Sequence, residues 1–454
     1  MKIPRIIISA TSSDSGKTLI TTAILKILRK RGYVVQPFKV GPDYIDPMYL
    51  SKASERPCRN LDSWIMNENI IKKIFLSSCK GVDFAIIEGV RGLYESESPI
   101  NDIGSTAHIA KILSTPVILV LNCHSLNRSA AAQVIGFRIM DKNIEIAGII
   151  LNNVKDSLHE EKIRRAIQYY TNVPILGVLY RSQELFIKKR HQGLITPNEF
   201  NINEIINKAA IMLEQNLEIE KLLEIMKSCP ELNIEELYEE KIRKEEIKIG
   251  VFMDSVFSFY YYDNLYMLKT LGAEISIMNS LSQEKIDEDI SGILIGGGYP
   301  ELFAKELEMN QSLRNSLKKK IQDEMPIVGE GGGLTYLCKS INYNGKNYKM
   351  IGAFDGDVYF NNKPKVSYVE LKGISGSPIS KIGDTLRGHE FHYSYIENIS
   401  SNFVFDVLRG EGIKERKDGA LVHNTLGMYT QLHYFACPKV PLNFISACKT
   451  YNRK

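Results

Sequence analysis

The stretch IPRIIISATSSDSGKT occupies residues 3–18 and decides the fold of the first part of the chain. Its apolar half, residues 3–9, predicts a short buried strand, and the pattern from about Thr18 to Arg31 predicts a helix. Between them, the small residues of SATSSDSGKT let the backbone curl so that successive N–H groups point inward. Lys17 and the N-terminal end of the helix add positive potential, so the segment predicts a phosphate-binding loop.

The loop departs from the strict GxxxxGK[ST] pattern at one position. Ala10 stands where the first glycine is expected, whereas Gly16, Lys17 and Thr18 fit. Thr18 is placed to ligate a magnesium ion, so ATP with Mg²⁺ is the expected ligand. The alternative is a chance GKT tripeptide in a surface turn, and the flanking strand and helix favour the phosphate loop.

Further apolar runs follow at 84–87, 117–121, 146–151 and 174–179, with helical patterns between them. Short strands that are apolar throughout and separated by helices are typical of a parallel sheet covered on both faces. The sequence therefore predicts the α/β class, with a P-loop parallel-sheet domain at the N-terminus.

Acidic residues lie where the next strands end. Glu88 ends the run FAIIE, a position suited to a magnesium ligand, although a cap or loop carboxylate is the alternative. The segment KVGPDYIDP, residues 39–47, holds Lys39, Asp43 and Asp46 between turn-forming residues. Ligand contacts and a solvated loop remain equally open for these three charges.

The composition changes after about residue 200. Residues 203–246 are helix-forming and highly charged, and a second series of strand and helix patterns starts at 247. We predict a P-loop domain over 1–212, a charged helical linker over 213–245 and a second α/β domain over 246–454.

Charge and cysteine content narrow the class of protein. The chain has 454 residues, a net charge of +4 and 24% charged residues, which is too balanced to argue for nucleic-acid binding. The apolar stretches are shorter than the roughly 18 residues that a transmembrane helix needs. Seven scattered cysteines without a CxxC pair fit reduced thiols, so we expect a cytoplasmic protein without membrane or nucleic-acid partners.

Eleven segments, taken in order, resemble the cobyrinate a,c-diamide synthase family, which joins a dethiobiotin-synthetase-like ATPase domain to a class I glutamine amidotransferase domain. They include ATSSDSGKT (10–18), FKVGPDYIDP (38–47), IEGVRGLY (87–94), GSTAHIAKIL (104–113), FSFYYYDNL (257–265), GGGYPE (296–301), GEGGGLTYL (329–337) and QLHYF (431–435). The resemblance implies ATP-dependent amidation of a peripheral carboxylate on a corrinoid or related tetrapyrrole through an acyl phosphate.

The resemblance also implies roles for individual residues. Nucleotide contacts fall on Ser12, Ser13, Ser15, Gly16, Lys17 and Thr18, and magnesium ligands on Thr18, Asp46 and Glu88. Lys39, Asp43 and Tyr44 would lie near the reacting carboxylate, while Ser105, Thr106, Arg190 and His191 would contact the substrate. For the pair Arg190 and His191, a solvated loop is the alternative to a carboxylate-binding lid.

The second domain departs from the family at its nucleophile. Where the family has Glu-Cys-Gly-Gly-Leu, this chain has Gly331 after Glu330, and glycine has no side chain to form a thioester. His433 matches the family's general base, and Gly297 matches its oxyanion-hole amide. We therefore expect ammonia to be the nitrogen source. The other readings are a substitution in an otherwise normal synthase, or a scaffold served by a separate glutaminase.

Several alternatives stay open. Arg91 stands where the family usually has Met, and it either pairs with an additional substrate carboxylate or reflects drift. A sister macrocycle such as sirohydrochlorin, its nickel complex or sirohaem is therefore an alternative substrate. A non-enzymatic P-loop switch or scaffold is the alternative from another class, and a homo-oligomer is compatible with the sequence.

Overall fold

The computed structural model describes residues 2–185, 189–190, 193–197, 202–232 and 246–453. The chain divides into two compact units, Met1–Tyr238 and Glu239–Lys454. The first unit combines helices with a parallel sheet and the second combines helices with a mixed sheet, so the predicted α/β class is confirmed.

Within the described residues, the first unit contains a sheet of seven parallel strands in the order β3-β2-β4-β1-β5-β6-β7. The strands are β1 (Arg5–Ala10), β2 (Val35–Val40), β3 (Arg59–Leu61), β4 (Phe84–Glu88), β5 (Val117–Asn122), β6 (Ile146–Val154) and β7 (Ile175–Tyr180). A short antiparallel pair, β8 (Lys189–Arg190) and β9 (Gly193–Leu194), follows. All six residues of β1 are buried, as expected for a parallel strand with both faces covered.

Helices alternate with these strands. They are α1 (Lys17–Lys30), α2 (Ile45–Ser54), α3 (Glu68–Ser78), α4 (Thr106–Ile112), α5 (Ser129–Met140), α6 (Ser157–Tyr170), α7 (Ile202–Glu214) and α8 (Ile219–Lys227), with a 3-10 turn at Gln183–Leu185. Helix α1 follows the polar loop directly, so the predicted strand–loop–helix order is confirmed.

Helix α8 lies in the segment for which the sequence predicts a linker. It packs against β1 and β7 of the first unit. The buried Arg5 guanidinium donates a hydrogen bond to the carbonyl of Pro230 at 3.0 Å, which ties the end of this segment to the sheet. Residues 233–245 lie outside the described residues, and the boundaries at 212 and 246 stay predictions.

The second unit has a mixed sheet. Strands β12-β10-β13-β15-β22 run parallel to their neighbours, and β22-β21-β20-β18-β19 continue antiparallel. The strands are β10 (Ile247–Phe252), β11 (Phe257–Phe259), β12 (Ala273–Met278), β13 (Ile290–Ile295), β14 (Gly297–Gly298), β15 (Ile327–Glu330), β16 (Ser340–Tyr343), β17 (Lys346–Lys349), β18 (Asp357–Gly373), β19 (Thr385–Glu397), β20 (Asn402–Arg409), β21 (Lys417–Val422), β22 (Thr425–Met428) and β23 (Gln431–Leu432).

Five helices accompany this sheet in the part of the chain that the structure describes. They are α9 (Tyr262–Thr270), α10 (Ala304–Met309), α11 (Gln311–Gln322), α12 (Gly332–Leu337) and α13 (Lys439–Tyr451), with a 3-10 turn at Pro300–Phe303. Apolar clusters fill the interior, one around Phe257 and Tyr336 and another around Phe405 and Phe444. No helix among the described residues has both the length and the apolar composition needed to cross a membrane.

Candidate active site

The first candidate site lies where β1, β2 and β4 end. These strands are neighbours in the sheet and run parallel, so their carboxyl ends meet at one edge. Lys39 of β2 is in register with Glu88 of β4, and Glu88 is also in register with Ile8 of β1. The register therefore brings together Lys39, Glu88 and the start of the phosphate loop, which are far apart in the sequence.

The loop between β1 and α1 requires glycine at Gly16. This residue has a φ of 85°, in the left-handed region that favours glycine. A Cβ at this position would lie 2.2 Å from Nδ2 of Asn152. Asn152, on β6, donates from Nδ2 to the carbonyl of Ser15 at 2.8 Å and so holds the loop against the sheet.

The predicted serine contacts form the turn of this loop. Ser12 and Ser13 are exposed, whereas Ser15 is buried. The Ser15 hydroxyl donates to the Ser12 carbonyl at 3.0 Å, and the two hydroxyls lie 3.2 Å apart. Their roles as nucleotide contacts stay predictions.

Lys17 reaches over the loop rather than into solvent. Its ammonium donates to the backbone carbonyls of Arg91 and of Ser12, the latter at 3.4 Å. Burial and the neighbouring Lys39 lower the pKa of Lys17 to about 8. A buried ammonium at the N-terminal end of a helix is suited to an anionic ligand such as a phosphate group. The Arg91 side chain is exposed, and only its carbonyl contributes here.

Glu88 is the most deeply buried charge of the site. Its Oε1 accepts hydrogen bonds from the Thr18 hydroxyl at 2.8 Å and from the Lys39 ammonium at 2.9 Å. Its Oε2 accepts no hydrogen bond from the described residues, and burial raises the pKa of Glu88. A buried carboxylate oxygen without a donor, next to a threonine hydroxyl, fits a hard cation such as Mg²⁺.

Asp46 is joined to Glu88 through Lys39, which forms an ion pair with both carboxylates. The Lys39 ammonium lies 2.6 Å from Asp46 Oδ2 and 3.9 Å from Asp43 Oδ2. Burial opposes the charge on Lys39, but Asp46, Glu88 and Asp43 outweigh it and raise the pKa of Lys39. In the same way, Lys39 lowers the pKa of Asp46 against the effect of burial.

Asp43 lies two residues before the start of helix α2. Its Oδ1 accepts from the backbone amides of Ile45 at 2.9 Å and Asp46 at 3.1 Å. Burial and the neighbouring Asp46 raise the pKa of Asp43 to about 7. Within the described residues, no group of three or more His, Cys, Asp and Glu side chains forms a metal cage by itself. Lys39 lies between the carboxylates of Asp46 and Glu88. The roles of Thr18, Asp46 and Glu88 as magnesium ligands stay predictions.

The predicted substrate contacts have mixed placements. Tyr44 is buried next to Asp43. Ser105 caps helix α4 by accepting from the His108 amide at 3.0 Å, and Thr106 exchanges hydrogen bonds with the backbone of Val90. Both hydroxyls are thus engaged within the protein, and their contact with substrate stays a prediction.

The substrate-lid prediction falls at the edge of what the structure describes. Arg190 is described only as part of β8, without its side chain. His191 lies outside the described residues.

A second candidate site surrounds Gly331 in the second unit. Gly331 lies between β15 and α12 with φ 54° and ψ −108°, and its amide donates to the Met428 carbonyl at 2.9 Å. Strand-to-helix turns of this kind present the nucleophile of many hydrolases on a strained backbone. Here the strained turn is kept, but the residue carries no reactive side chain.

His433 has a buried acidic partner that the sequence does not reveal. The Nε2 of His433 lies 3.4 Å from Oδ2 of Asp263, at the start of α9, and both side chains are almost fully buried. The Tyr261 ring lies 4.7 Å from the His433 ring, and its hydroxyl lies 3.2 Å from His389 Nδ1. Burial lowers the pKa of His389 to about 3, so it is neutral.

Gly297 and Gln431 complete the surroundings of Gly331. Gly297, in β14, pairs with Phe259 of β11. A Cβ at position 331 would lie 3.7 Å from the Gly297 Cα and 2.9 Å from Nε2 of Gln431. The predicted oxyanion-hole residue is therefore close to the nucleophile position, and its role stays a prediction.

Two cysteines are the natural candidates for a replacement thiol. Cys338 is buried within an apolar cluster, and burial raises its pKa. Cys437 donates to the Arg387 carbonyl at 3.6 Å, and burial raises the pKa of Cys437 to about 11. Thiols of this kind stay protonated at neutral pH and are poor nucleophiles.

Sequence reasoning assigned no role to Asn152, Tyr261, Asp263 or Gln431. Asp263 lies within the quoted segment FSFYYYDNL and Gln431 within QLHYF. The motifs therefore included Asp263 and Gln431, but only the contacts in the folded structure show which residues they lie against.

Comparison with known families defines the class. Residues 6–195 match the CobQ/CobB/MinD/ParA nucleotide binding domain. Residues 248–438 match the CobB/CobQ-like glutamine amidotransferase domain. The chain is thus a two-domain protein that joins a nucleotide-binding domain to an amidotransferase-like domain, and the predicted architecture is confirmed.

Similarity along nearly the whole chain narrows this class. The chain is 42% identical over 447 residues to the cobyrinate a,c-diamide synthase of Methanothermobacter thermautotrophicus, which covers 97% of this chain and 98% of that protein. The enzymes of the same name from Methanosarcina acetivorans and Dehalococcoides mccartyi are 40% and 38% identical. These two alignments cover 98% and 99% of this chain, and 95% and 99% of the respective relatives. The chain belongs to the cobyrinate a,c-diamide synthase family, a family of ATP-dependent amidoligases, which confirms the resemblance.

Proposed function

We propose that this protein amidates peripheral carboxylates of a corrinoid in an ATP-dependent reaction through an acyl phosphate, with ammonia as the nitrogen source. The observation that carries the first half is the cluster of Lys17, Thr18, Lys39 and Glu88 at the carboxyl end of the parallel sheet. The observation that carries the second half is Gly331 at the turn where a nucleophile is required.

The first step has an electrostatic problem. The substrate carboxylate oxygen must attack the terminal phosphorus of ATP, so two anions approach each other. Lys17, the loop amides and the N-terminal end of α1 supply positive potential on the phosphate side. The substrate oxygen then bonds to phosphorus, ADP leaves, and the carboxyl carbon gains phosphate as a leaving group.

Lys39 is the second cation at this edge and is 2% exposed. Its ammonium is held by Asp46 and Glu88, so its position is fixed before a ligand arrives. A preorganised cation stabilises developing charge without reorganisation during the reaction. We propose that Lys39 and Asp43 flank the substrate carboxylate.

Magnesium is the metal that the donor set favours. Thr18, Asp46 and Glu88 are the residues that we propose to hold it, supported by the unpartnered, buried Oε2 of Glu88. When bound, magnesium neutralises charge on the phosphate oxygens of the nucleotide.

The nitrogen source follows from Gly331. Glutamine hydrolysis in such a domain needs a thiolate that attacks the side-chain amide, and loss of a nucleophile costs on the order of 10⁶ in kcat. Free ammonia attacks the acyl phosphate directly, phosphate leaves, and a carboxamide forms. Delivery of ammonia by a separate glutaminase is the second way to supply the same nucleophile.

Two kinds of macrocycle are candidate substrates. The name that the relatives share, cobyrinate a,c-diamide synthase, supports cobyrinate as the substrate. A sister macrocycle such as sirohydrochlorin, its nickel complex or sirohaem is the second candidate, and Arg91 is the residue that motivates it. Its side chain is exposed, and its own backbone carbonyl accepts a hydrogen bond from Lys17.

A panel of macrocyclic acids tests the proposal. The protein is incubated with ATP, Mg²⁺, ammonium and each acid, and ADP formation and amidated product are followed by mass spectrometry. We expect ADP to form only with the right acid and in step with the amide. ADP formation that no acid changes would favour a nucleotide switch instead.

Matched variants locate the activity in the first site. Lys17→Ala is expected to lower acid-dependent ADP formation by about 10²–10³. Lys142→Ala changes an exposed lysine in the same unit and is expected to leave it intact. Equal loss in both variants would argue against the assignment of the site.

A further inference from the structure

The space in front of Gly331 is already filled by another side chain. The Nε2 of Gln431 would lie 2.9 Å from a Cβ at position 331 and 2.6 Å from a Cβ at Gly297. The carboxamide of Gln431 therefore lies between the nucleophile position and the predicted oxyanion-hole residue. A substrate amide attacked at position 331 would have to lie in the same place.

We propose that Gln431 is a second determinant of the nitrogen source, because its side chain occupies the place of a glutamine carboxamide and closes the pocket. The inference rests on the ammonia-dependent function proposed above and extends it from a missing nucleophile to a closed site. Two independent features, Gly331 and Gln431, then exclude glutamine.

The backbone of Gln431 fixes where its side chain starts. Gln431 belongs to β23 and is in register with His389 of β19. A Cβ at Gly388 would lie 2.4 Å from the carbonyl oxygen of Gln431, so the two strands approach closely. The pairing of β23 with β19 sets where the side chain of Gln431 begins, and rotation about its side-chain bonds moves the carboxamide.

The side chain is also held in a buried environment. Gln431 is 3% exposed, and its Oε1 accepts no hydrogen bond from the described residues. His433, two residues along, is 1% exposed. The carboxamide of Gln431 is therefore enclosed by protein, and a substrate carboxamide at Gly331 would have to displace it.

The geometry of acyl transfer explains why this position matters. A glutamine substrate needs its carbonyl carbon within bonding distance of a nucleophile at 331 and its oxygen near a backbone amide such as that of Gly297. The Nε2 of Gln431 lies beside both of these positions, 2.9 Å from a Cβ at 331 and 2.6 Å from a Cβ at 297. Restoring a thiol alone therefore gives a cysteine whose Cβ lies under 3.0 Å from a side-chain nitrogen.

A covalent probe of the pocket tests the proposal without the amidation reaction. The full-length variants Gly331→Cys and Gly331→Cys/Gln431→Ala are treated with a diazoketone analogue of glutamine, in the absence of ATP and macrocycle. The Cys sulfur bonds to the diazo-bearing carbon, dinitrogen leaves, and the thiol proton is transferred to that carbon. Mass spectrometry of the intact chain follows the adduct, and glutamate release from glutamine is measured in parallel.

We expect the double variant to be labelled about tenfold faster than Gly331→Cys, since the single variant must first force a buried side chain out of its preferred rotamer. Glutamate release should rise in the same order. The control is Gly331→Cys/Gln322→Ala, which removes an exposed glutamine on α11 and should match Gly331→Cys.

Three results would overturn the proposal. They are equal labelling of Gly331→Cys and the Gln431→Ala double variant, an equal rise in the Gln322→Ala control, and no labelling in any variant. A second double variant with Gln431→Ser keeps the test decisive if the alanine version does not fold. Because the probe needs no ATP, failure here leaves the ammonia-dependent amidation to be judged on its own assay.

Discussion

Replacement of Lys39 by methionine gives the strongest perturbation of the first site. The ammonium lies 2.9 Å from Glu88, which is fully buried, and 2.6 Å from Asp46, which is mostly buried. Methionine keeps much of the side-chain length but removes the charge. The variant therefore leaves two neighbouring carboxylates in a low-dielectric environment without their shared cation.

The expected cost follows from this geometry. Removing one partner of a buried ion pair destabilises a protein by about 3–5 kcal/mol, because the remaining charge is left uncompensated. For a unit of about 200 residues, each kcal/mol lowers Tm by about 2–4 °C. We thus expect the transition of the first unit to fall by about 6–20 °C.

The cost should depend on pH with a definite sign. Burial already raises the pKa of Glu88, and loss of Lys39 raises it further. The folded variant then binds a proton that the unfolded chain releases near pH 4.5, so its stability falls as pH rises. The difference from wild type should be small at pH 5 and large at pH 8.

Differential scanning calorimetry measures the Tm of each variant. Hydrogen exchange of peptides from the first unit shows which transition belongs to that unit. Lys142→Met is the control, since Lys142 is exposed. The variant Lys39→Met/Glu88→Gln should regain part of the Tm that Lys39→Met loses, because it no longer has the buried charge of Glu88. A decrease in Tm no larger than that of Lys142→Met, at every pH, would refute the reasoning.

Three further predictions concern other parts of the molecule. Lys17→Ala should lower kcat by about 10²–10³, as measured by ADP release, because a positioned cation for the phosphates is lost. Burial raises the pKa of Glu330 to about 8. The contribution of Glu330 to the stability of the second unit should therefore be fully present below pH 4.5 and be lost as pH rises toward 8, and Glu330→Gln should flatten this dependence of Tm on pH. Arg5→Met should destabilise the first unit in urea unfolding by about 3 kcal/mol, because the buried guanidinium donates to the carbonyls of Ile3, Leu113 and Pro230.

Local pattern was enough to predict much of the first unit. The apolar runs at 84–87 and 117–121 predict strands that the structure has at Phe84–Glu88 and Val117–Asn122. A polar loop between a buried strand and a helix has few alternative folds, so β1 and α1 were also predictable. The position of Glu88 at a strand end followed from the same pattern.

The second site was less predictable, since its parts are joined only by the fold. His433 meets Asp263 across 170 residues of sequence, and no spacing rule links α9 to the segment after β22. Gln431 faces Gly331 because β23 pairs with β19. Neither contact can be predicted from a local sequence pattern. The missing nucleophile could be predicted, because Gly331 stands at the cysteine position of a recognisable motif.

The most direct test of the acyl phosphate intermediate is to follow the carboxylate oxygen of the substrate into the products. The macrocyclic acid is prepared with heavy oxygen in its carboxylates and converted with ATP and ammonium, and the released phosphate is analysed by mass spectrometry. If the carboxylate is activated as an acyl phosphate, one heavy oxygen passes into phosphate for each amide formed. Amide formation with unlabelled phosphate would contradict the account.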